Sequence, residues 1–571
     1  NFDKKILDGT AAIDFTVIDS SATSFILDAK DLNIDDIKIR AGGDWQDAVY
    51  QLGTDDAVLG QRLSIDLVDG ADRVKIKYQT SPEAEGLQWL SPAQTAGKKY
   101  PYLFSQAQAI NARTMAPVQD TPAVRITYEA TLRTPPELLA LMSAEQDPNT
   151  PRDGEYSFSM PQPIPPYLLA IAVGDVKFKA INDHIGVYSE DYILDASAKE
   201  FEETPLMEDA NARLYGPYRW GRYDLIVLPP SFPFGGMENP RLSFMTPTLI
   251  AGDKSLTNVV AHELAHSWSG NLVTNSSWRD AWLNEGFTSY VENRVMEDLY
   301  GEGRAVMEQA LSLEDLKRDI AGASRPELTQ LKLPKDIAHP DDAFSQVAYV
   351  KGQYFLMFLE ERFGRTKFDP FLKSYFNNFA FQSITTEDFL EYLQTELRDD
   401  NPDAVTDAEI KEWVYKPGLP STAKQPESDA FSKVEAQSHA WETGALKVSD
   451  IQTGKWSTHE WLHFLNNLPE GLSQDQFKAL DDEFNLSGTQ NAETAFAWYM
   501  QTIKGNYAPA QNDLEAFLMT VGRGKFIYRL YGALASDAGQ KAWAADVYNK
   551  ARPGYHPIAQ RRIDAIFSQS E

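Results

Sequence analysis

Cysteine is absent from this 571-residue chain, and several kinds of chemistry are excluded with it. Without thiols the chain cannot form disulfides, use a cysteine nucleophile or bind zinc through thiolates. Histidine is also scarce, with 8 residues in the whole sequence. Imidazoles and oxygen atoms are therefore the ligands available for a zinc site.

Positive charge and long apolar runs are scarce as well. The chain has 53 Lys and Arg against 83 Asp and Glu, a formal charge of −30, which argues against nucleic acid or an anionic membrane as a partner. The acidity either reflects a solvated surface or mildly attracts cationic ligands such as peptide N-termini. Apolar runs such as residues 167–174 are far shorter than the ~20 residues of a membrane span, so we expect no membrane insertion.

The start of the sequence bears on location. No signal-peptide pattern opens it, and the chain begins at Asn1 rather than at a Met. Together with the absence of cysteine, this favours a soluble protein that is periplasmic or secreted, with the cytoplasm as the alternative. We expect the protein to be a monomer.

Length and composition predict a folded protein of several domains. A chain of 571 residues suggests three or four domains, and 43% hydrophobic with 12% aromatic residues is typical of globular proteins. Near the N-terminus, Val74, Ile76 and Tyr78 alternate with charged residues. Such alternation predicts half-buried strands, so we expect an antiparallel β-sheet domain over residues 1–175.

The remainder of the chain predicts a mixed region and then a helical one. Residues 176–416 combine a short strand pair near 224–228 with helix-compatible runs, which indicates a mixed α/β domain. Residues 417–428 begin with prolines and turn formers and are predicted to be a linker. From 429 to 571 apolar residues recur at helical spacing, so the last domain is predicted to be all-α. The class is multidomain α+β.

The most informative motif is H-E-x-x-H at residues 262–266, followed by Glu285 nineteen residues after its second histidine. On a helix, positions i and i+4 share one face, so both imidazoles can bind one ion. Two imidazoles and a carboxylate suit Zn²⁺, and three protein ligands leave one tetrahedral position open, as in catalytic sites. We predict one zinc ion per chain on His262, His266 and Glu285, with Glu263 as general base.

A further carboxylate lies near this motif. Glu292 follows Glu285 by seven residues, two helical turns on and roughly on the same face. There it can accept a hydrogen bond from a zinc-binding imidazole and so orient the ring. A glutamate on the helix surface is the alternative interpretation.

A second motif, Gly-Gly-Met-Glu-Asn, occupies residues 235–239. With H-E-x-x-H-x18-E it resembles the signature of the gluzincin zinc aminopeptidases, in particular their leukotriene A4 hydrolase and aminopeptidase B branch. Five further segments carry the resemblance: residues 104–109, 163–168, 251–256, 348–352 and 522–526. The resemblance implies a saddle-like N-terminal β-sheet domain, a thermolysin-like mixed α/β zinc catalytic domain and a C-terminal all-α domain. It also implies a zinc-dependent aminopeptidase that removes N-terminal residues from short peptides by zinc-activated water.

The resemblance also implies roles for individual residues. Glu238 and Gln108 would hold the substrate's α-amine, so that only the first peptide bond reaches the zinc. Tyr349 would donate a hydrogen bond to the oxyanion that forms on the carbonyl. Four residues would line the substrate: Ala109, Gly235, Gly236 and Met237. Arg523 and Lys525 would bind the C-terminal carboxylate of a short peptide, with two solvated basic residues as the alternative.

One departure from the family concerns a second activity. Asp341 matches the aspartate that hydrolase members use in lipid epoxide chemistry, but Phe344 stands where they have a tyrosine. The missing hydroxyl argues against lipid epoxide hydrolysis as the main activity. Two alternatives to the aminopeptidase stay open: an epoxide hydrolase, and a non-catalytic binding protein on the same fold.

Overall fold

The computed structural model describes residues 1–337 and 339–569. Its order of elements confirms the multidomain α+β class: antiparallel sheets come first, a mixed region follows, and helices make up the C-terminal part. The domain boundaries at residues 175, 416 and 428 stay predictions, and residues 570 and 571 of the predicted helical domain lie outside the described ranges. Within those ranges no helix is both long and apolar enough to cross a membrane.

The N-terminal region is built from antiparallel strands. They are β1 (Asp8–Asp14), β2 (Ser24–Ala29), β3 (Asn33–Ala41), β4 (Asp44–Asp47), β5 (Tyr50–Leu52), β6 (Gln61–Asp66), β7 (Ala71–Gln79), β8 (Leu87–Leu90), β9 (Tyr102–Ser105), β10 (Ile126–Arg133), β11 (Leu139–Met142), β12 (Glu155–Ile164) and β13 (Ile171–Gly174). Their sheet orders are β1-β7-β3-β4, β2-β6-β5, β11-β13-β9-β8 and β10-β12. In β7, Val74, Ile76 and Tyr78 are buried while Lys75 and Lys77 are exposed, which confirms the alternation read from the sequence.

The middle region contains a mixed sheet. Its strands are β14 (Lys177–Ala180), β15 (Ile185–Ser189), β16 (Tyr223–Val227), β17 (Gly236–Met237) and β18 (Leu242–Met245), in the order β14-β15-β16-β18-β17. The three central strands are parallel and the two edge strands antiparallel. A separate parallel pair joins β19 (Val273–Asn275) to β20 (Gln382–Ile384). The central strands are buried along their whole length, so they lack the polar alternation that would reveal them in the sequence.

Helices surround this sheet and carry the histidine motif. They are α1 (Asp191–Glu200), α2 (Thr204–Tyr215), α3 (Asn258–Ala265), α4 (Trp282–Tyr300), α5 (Glu302–Gly322), α6 (Gly352–Phe363), α7 (Arg365–Asn378), α8 (Thr386–Leu393) and α9 (Asp407–Tyr415). A π-helical turn, Val347–Lys351, leads into α6. Helices α4 and α6 nearly touch, because a Cβ on Gly286 would lie 2.7 Å from Cα of Gly352. Two glycines permit this approach, which brings the π-helical turn beside the first turn of α4.

The C-terminal region is a helical stack with its own core. Its helices are α10 (Asp429–Glu442), α11 (Thr458–Asn466), α12 (Gln474–Phe484), α13 (Ala492–Lys504), α14 (Gln511–Thr520), α15 (Gly524–Ser536), α16 (Lys541–Ala551) and α17 (Pro557–Gln569). The turn between α14 and α15 returns to the middle region. There the N–H of Gly522 donates to the carbonyl of Pro230 at 2.8 Å and that of Gly524 to Pro233 at 2.7 Å. Arg523 is therefore held against the segment that precedes β17.

Candidate metal centre and substrate site

The two histidines of the motif lie at the end of α3. His262 is inside the helix, whereas His266 is the residue that ends it, with φ −57° and ψ −21°. Its N–H still donates to the carbonyl of His262 at 3.2 Å, so the i, i+4 relationship expected from the sequence is kept. The two ring centroids are 4.8 Å apart, and both rings can therefore face one point.

A carboxylate from the first turn of α4 meets both rings. The Glu285 Oε2 atom lies 3.3 Å from Nε2 of His262 and 3.5 Å from Nε2 of His266. Zn–N and Zn–O bonds of about 2.0–2.1 Å at a tetrahedral angle separate two ligand atoms by about 3.3 Å. The three atoms are thus spaced as ligands of one zinc ion.

The opposite nitrogen of each ring has its own partner. His262 Nδ1 is 2.9 Å from the Glu292 carboxylate, and His266 Nδ1 is 3.1 Å from the carbonyl oxygen of Ser269. A neutral imidazole that donates from Nδ1 presents a lone pair at Nε2. The two Nε2 lone pairs and the Glu285 oxygen then point to one position, where a bound cation would be favourable. These residues fit zinc by the chemistry of their donor atoms.

A second group of possible metal ligands overlaps the first. Ligand atoms of Glu238, Glu263 and His266 also lie within 4.8 Å of one another. The group shares His266, whose single free nitrogen can bind only one ion. The set with two imidazoles and Glu285 matches zinc better, because zinc sites favour nitrogen ligands whereas carboxylate-rich sites suit harder cations. Glu238 and Glu263 are then not needed as metal ligands.

Glu263 is buried beside the metal-binding rings. Burial raises the pKa of Glu263 well above its usual range, and the nearby His262 opposes that shift while Glu238 adds to it. Its carboxylate lies against the backbone of Gly236, where a Cβ would overlap it. A raised pKa makes the carboxylate a stronger acceptor of a proton than a solvated one, as a group that takes up a proton from water must be.

Glu238 lies at the end of β17 and is surrounded by polar groups. Gln108 Nε2 donates to its carboxylate at 3.3 Å, and Asn271 Nδ2 donates to its backbone oxygen at 2.7 Å. Burial raises the pKa of Glu238, and the nearby His262 opposes that rise. The family resemblance implies Gln108 at this position, whereas no motif in the sequence points to Asn271.

The four residues expected to line the substrate are neighbours of Gln108 and Glu238 in the sequence. Gly236 and Met237 form β17, which pairs with β18, and the Met237 sulfur accepts a hydrogen bond from Gln106 at 3.3 Å. Ala109 is buried in the loop after β9. Gly235 contacts Arg523, since a Cβ on this glycine would lie 2.7 Å from Arg523 Nη2.

Tyr349 lies in the π-helical turn and faces the metal-binding rings. Its ring stacks on that of His262, with centroids 5.9 Å apart and planes 22° from parallel. Burial raises the pKa of Tyr349 well above its usual range, and the carboxylates of Glu285 and Glu238 add to that shift. The phenol therefore keeps its proton and can donate it in a hydrogen bond.

Arg523 and Lys525 share a buried carboxylate from α13. Lys525 Nζ lies 2.7 and 2.8 Å from the two oxygens of Glu493, whereas Arg523 Nη1 lies 3.4 Å from one of them. Arg523 Nε has no hydrogen-bond partner among the described residues. Two cations and one carboxylate leave one net positive charge, and the guanidinium is the less fully paired of the two.

Asp341 and Phe344 lie just before the π-helical turn. The Asp341 carboxylate is 3.5 Å from Nδ1 of His339. The Phe344 ring packs on Trp278 with centroids 5.3 Å apart. No hydroxyl is present at this ring contact, in keeping with the departure noted in the sequence.

Comparisons with known proteins agree along the whole chain. Residues 1–168 match the peptidase M1 N-terminal domain, 200–413 the peptidase family M1 domain and 456–567 the C-terminal domain of leukotriene A4 hydrolase. These three matches follow the three parts of the fold. They also confirm the family resemblance read from the sequence motifs.

Individual relatives cover nearly the full length. The chain is 35% identical over 584 residues to leukotriene A-4 hydrolase of Xenopus laevis, covering 99% of this chain and 95% of that protein. It is 36% identical over 584 residues to leucine aminopeptidase 2 of Yarrowia lipolytica, covering 98% and 88%.

A solved structure agrees with these relatives. The complex of yeast leukotriene A4 hydrolase with bestatin matches with a TM-score of 0.90 at 32% identity, covering 99% of this chain and 93% of that one. Fold, sequence and donor chemistry agree at this level of similarity. The chain belongs to peptidase family M1 and is a zinc aminopeptidase.

Proposed function

We propose that the chain removes N-terminal residues from short peptides, with zinc held by His262, His266 and Glu285. The observation that carries this proposal is the convergence of two Nε2 atoms on one oxygen of Glu285, at 3.3 and 3.5 Å. When bound, zinc supplies Lewis-acid chemistry: it polarises a carbonyl and makes a water molecule acidic at neutral pH. Glu292 would orient His262 by accepting from Nδ1.

Two residues would assist the hydrolysis itself. The Glu263 carboxylate would take a proton from the attacking water and pass it to the peptide nitrogen as the carbon–nitrogen bond breaks. The Tyr349 hydroxyl would donate a hydrogen bond to the carbonyl oxygen as negative charge develops on it. Burial raises the pKa of both groups, which favours the protonated form that Glu263 reaches after it takes up the proton and that Tyr349 needs in order to donate.

The restriction to the first peptide bond would come from Glu238. Its carboxylate, with Gln108 at 3.3 Å, would bind the protonated α-amine. A Glu238 oxygen and a His266 nitrogen lie within 4.8 Å of each other, so an anchored amine leaves room for one residue before the metal. Ala109, Gly235, Gly236 and Met237 would line that space.

The other end of the substrate would be bound by Arg523, with Lys525 beside it. The net positive charge of Arg523, Lys525 and Glu493 suits one C-terminal carboxylate. A peptide that spans from this charge to Glu238 must be short. The contact of Arg523 with Gly235 supports a single continuous cleft.

We propose peptide hydrolysis rather than epoxide hydrolysis as the reaction of this protein. Phe344 offers no hydroxyl beside Asp341, so we assign Asp341 no role in the peptide reaction. We also propose that the chain acts as a monomer. The periplasmic or secreted location stays a prediction.

Substitution of the amine anchor tests the proposal. Glu238→Ala should reduce kcat/KM for leucyl anilide at least 100-fold, while the slow cleavage of an N-acetylated leucyl anilide changes less than about 3-fold. Leucine is the first residue to test because relatives are named leucine aminopeptidases. Glu302→Ala, at an exposed glutamate of α5, is the control and should change neither rate. Equal losses on the two substrates for Glu238→Ala would refute the role of Glu238.

A further inference from the structure

Glu493 is a buried carboxylate that contacts both cations at the basic end of the cleft. It is 6% exposed and is the second residue of α13. Asn491 caps this helix, because its side chain accepts from the N–H groups of Glu493 and Thr494 at 3.1 and 3.2 Å. The positive end of the helix dipole favours a carboxylate at such a position. The helix therefore fixes the place of Glu493 in addition to its ion pairs.

The contacts of Glu493 with the two cations are unequal. Its two oxygens lie 2.7 and 2.8 Å from Lys525 Nζ, whereas one of them is 3.4 Å from Arg523 Nη1. Burial acts to raise the pKa of Glu493, but Lys525 and Arg523 outweigh it and lower the pKa below its ordinary value. The carboxylate is therefore ionised at neutral pH and mainly neutralises Lys525.

Arg523 is also held in place by other groups. Its Nη1 donates to Thr248 Oγ1 at 3.3 Å, and the centre of its guanidinium lies 5.1 Å from the centroid of the Phe526 ring. On the opposite edge, Nε has no hydrogen-bond partner within residues 1–337 and 339–569. A carboxylate can bind such an edge through two parallel hydrogen bonds. The open edge of Arg523 thus suits one substrate carboxylate.

We propose that Glu493 is a specificity-determining residue: by neutralising Lys525 it leaves one cation for the substrate, so that peptides ending in Asp or Glu are disfavoured. This inference rests on the proposed function, since it assumes that Arg523 binds the substrate's C-terminal carboxylate. An acidic C-terminal residue brings a second carboxylate to this place. Because Glu493 is 3.4 Å from Arg523 Nη1, that second charge would lie near the Glu493 carboxylate without a cation to balance it.

Glu493→Gln tests the proposal because it removes the charge and keeps the size of the side chain. The matched substrates are leucyl-alanyl-asparagine and leucyl-alanyl-aspartate, which differ by one charge. For the unaltered protein, kcat/KM should favour the asparagine peptide about 10-fold or more. In Glu493→Gln the ammonium of Lys525, whose side chain is 44% exposed, can bind the second carboxylate. The preference should then fall below about 3-fold, through KM rather than kcat.

Two further variants change the net charge of the same three groups. Lys525→Gln leaves Arg523 and Glu493, with no net charge, and should increase the preference for the asparagine peptide. This variant tests the proposal even if Glu493→Gln does not fold, because Lys525 is exposed. Lys525→Gln combined with Glu493→Gln restores the net charge of the unaltered protein and should restore its preference. A preference that does not follow the net charge in this series would overturn the proposal.

Asp482→Asn is the matched control. Both oxygens of Asp482 contact the ammonium of Lys478 on α12, at 2.9 and 2.7 Å, so this substitution also removes a carboxylate that neutralises a lysine. It should leave the preference between the two peptides unchanged. A purely structural role of Glu493 would lower the temperature of unfolding and reduce kcat/KM for both peptides and for leucyl anilide alike. That result would also overturn the proposal.

The C-terminal amide of leucyl-alanyl-asparagine separates this inference from the proposed function. If Arg523 binds the substrate's carboxylate, KM should be about 10-fold higher or more for the amide than for the acid. Equal KM values for the acid and the amide would refute carboxylate binding at Arg523, whatever Glu493→Gln does. A higher KM for the amide, together with an unchanged preference in Glu493→Gln, would refute the role of Glu493 alone.

Discussion

The Glu292 carboxylate lies 2.9 Å from Nδ1 of His262 and accepts a second hydrogen bond from Asn258 at 3.0 Å. The Glu292 carboxylate on α4 thereby contacts two side chains of α3. Helices α3 and α4, which supply the proposed zinc ligands, are thus also connected by the hydrogen bonds of Glu292.

Glu292→Gln should weaken zinc binding about 10- to 100-fold, because an amide is a poorer acceptor for the imidazole N–H and leaves the ring less basic. Competition with a chelator of known affinity measures this. Glu302→Gln, at an exposed glutamate of α5, should bind zinc as the unaltered protein does. Unchanged zinc affinity in Glu292→Gln would contradict the orienting role.

Gly236→Ala should lower kcat about 10- to 1,000-fold, because the added methyl group would overlap the Glu263 carboxylate and displace it. Zinc content should stay near one ion per chain, since no ligand moves. Gly303→Ala is the control, because a Cβ at this helical position meets no atom within 4 Å. Full activity in Gly236→Ala would mean that the position of Glu263 is not critical.

Arg523→Gln should reduce kcat/KM for tripeptides about 10- to 100-fold, the usual effect of losing one charge-assisted hydrogen bond. Leucyl anilide has no carboxylate and should be affected less than about 3-fold. Lys525→Gln should have the smaller effect on tripeptides, because both oxygens of Glu493 already engage its ammonium. Parallel losses on tripeptide and anilide would argue against carboxylate binding by Arg523.

Lys351 makes the stability of the protein depend on pH. Its buried ammonium donates to the carbonyl oxygens of Thr329 and Lys416, and burial lowers its pKa to about 7. An unfolded lysine has a pKa of about 10.4, so between these values the unfolded chain binds more protons and the free energy of unfolding rises with pH.

Lys351→Met removes this contribution. From pH 7 to 9.5, the free energy of unfolding of the unaltered protein should rise relative to that of Lys351→Met by up to about 1.4 kcal/mol per pH unit. Calorimetry across this range measures the difference, with Lys373→Met at an exposed lysine of α7 as control. A difference that does not change with pH would show that Lys351 is protonated throughout.

The convergence of the two histidines of the H-E-x-x-H motif could be predicted because its signal is local. His262, Glu263 and His266 occupy one helical turn, and their relative geometry follows from the helix repeat. The alternation of apolar and charged residues in β7 likewise predicted a strand. The parallel strands of the middle region could not be predicted in this way, because full burial removes the alternation that marks a strand.

Contacts between distant segments could not be read from the sequence. Tyr167 and Asn284 are 117 residues apart, and Arg523 lies 30 residues from Glu493. Only the folded chain brings such pairs together. The contact of Asn271 with Glu238 and the pairing of Lys525 with Glu493 therefore came from the structure, whereas Gln108 and Tyr349 came from family resemblance.

The most direct test of the account measures zinc and turnover together in Glu263→Gln. This variant keeps the size of the side chain but cannot take up a proton. We predict one zinc ion per chain by metal analysis and a fall in kcat for leucyl anilide of at least about 1,000-fold. A zinc-loaded variant with normal turnover would contradict the account, because the buried carboxylate beside His262 and His266 would then not be the base.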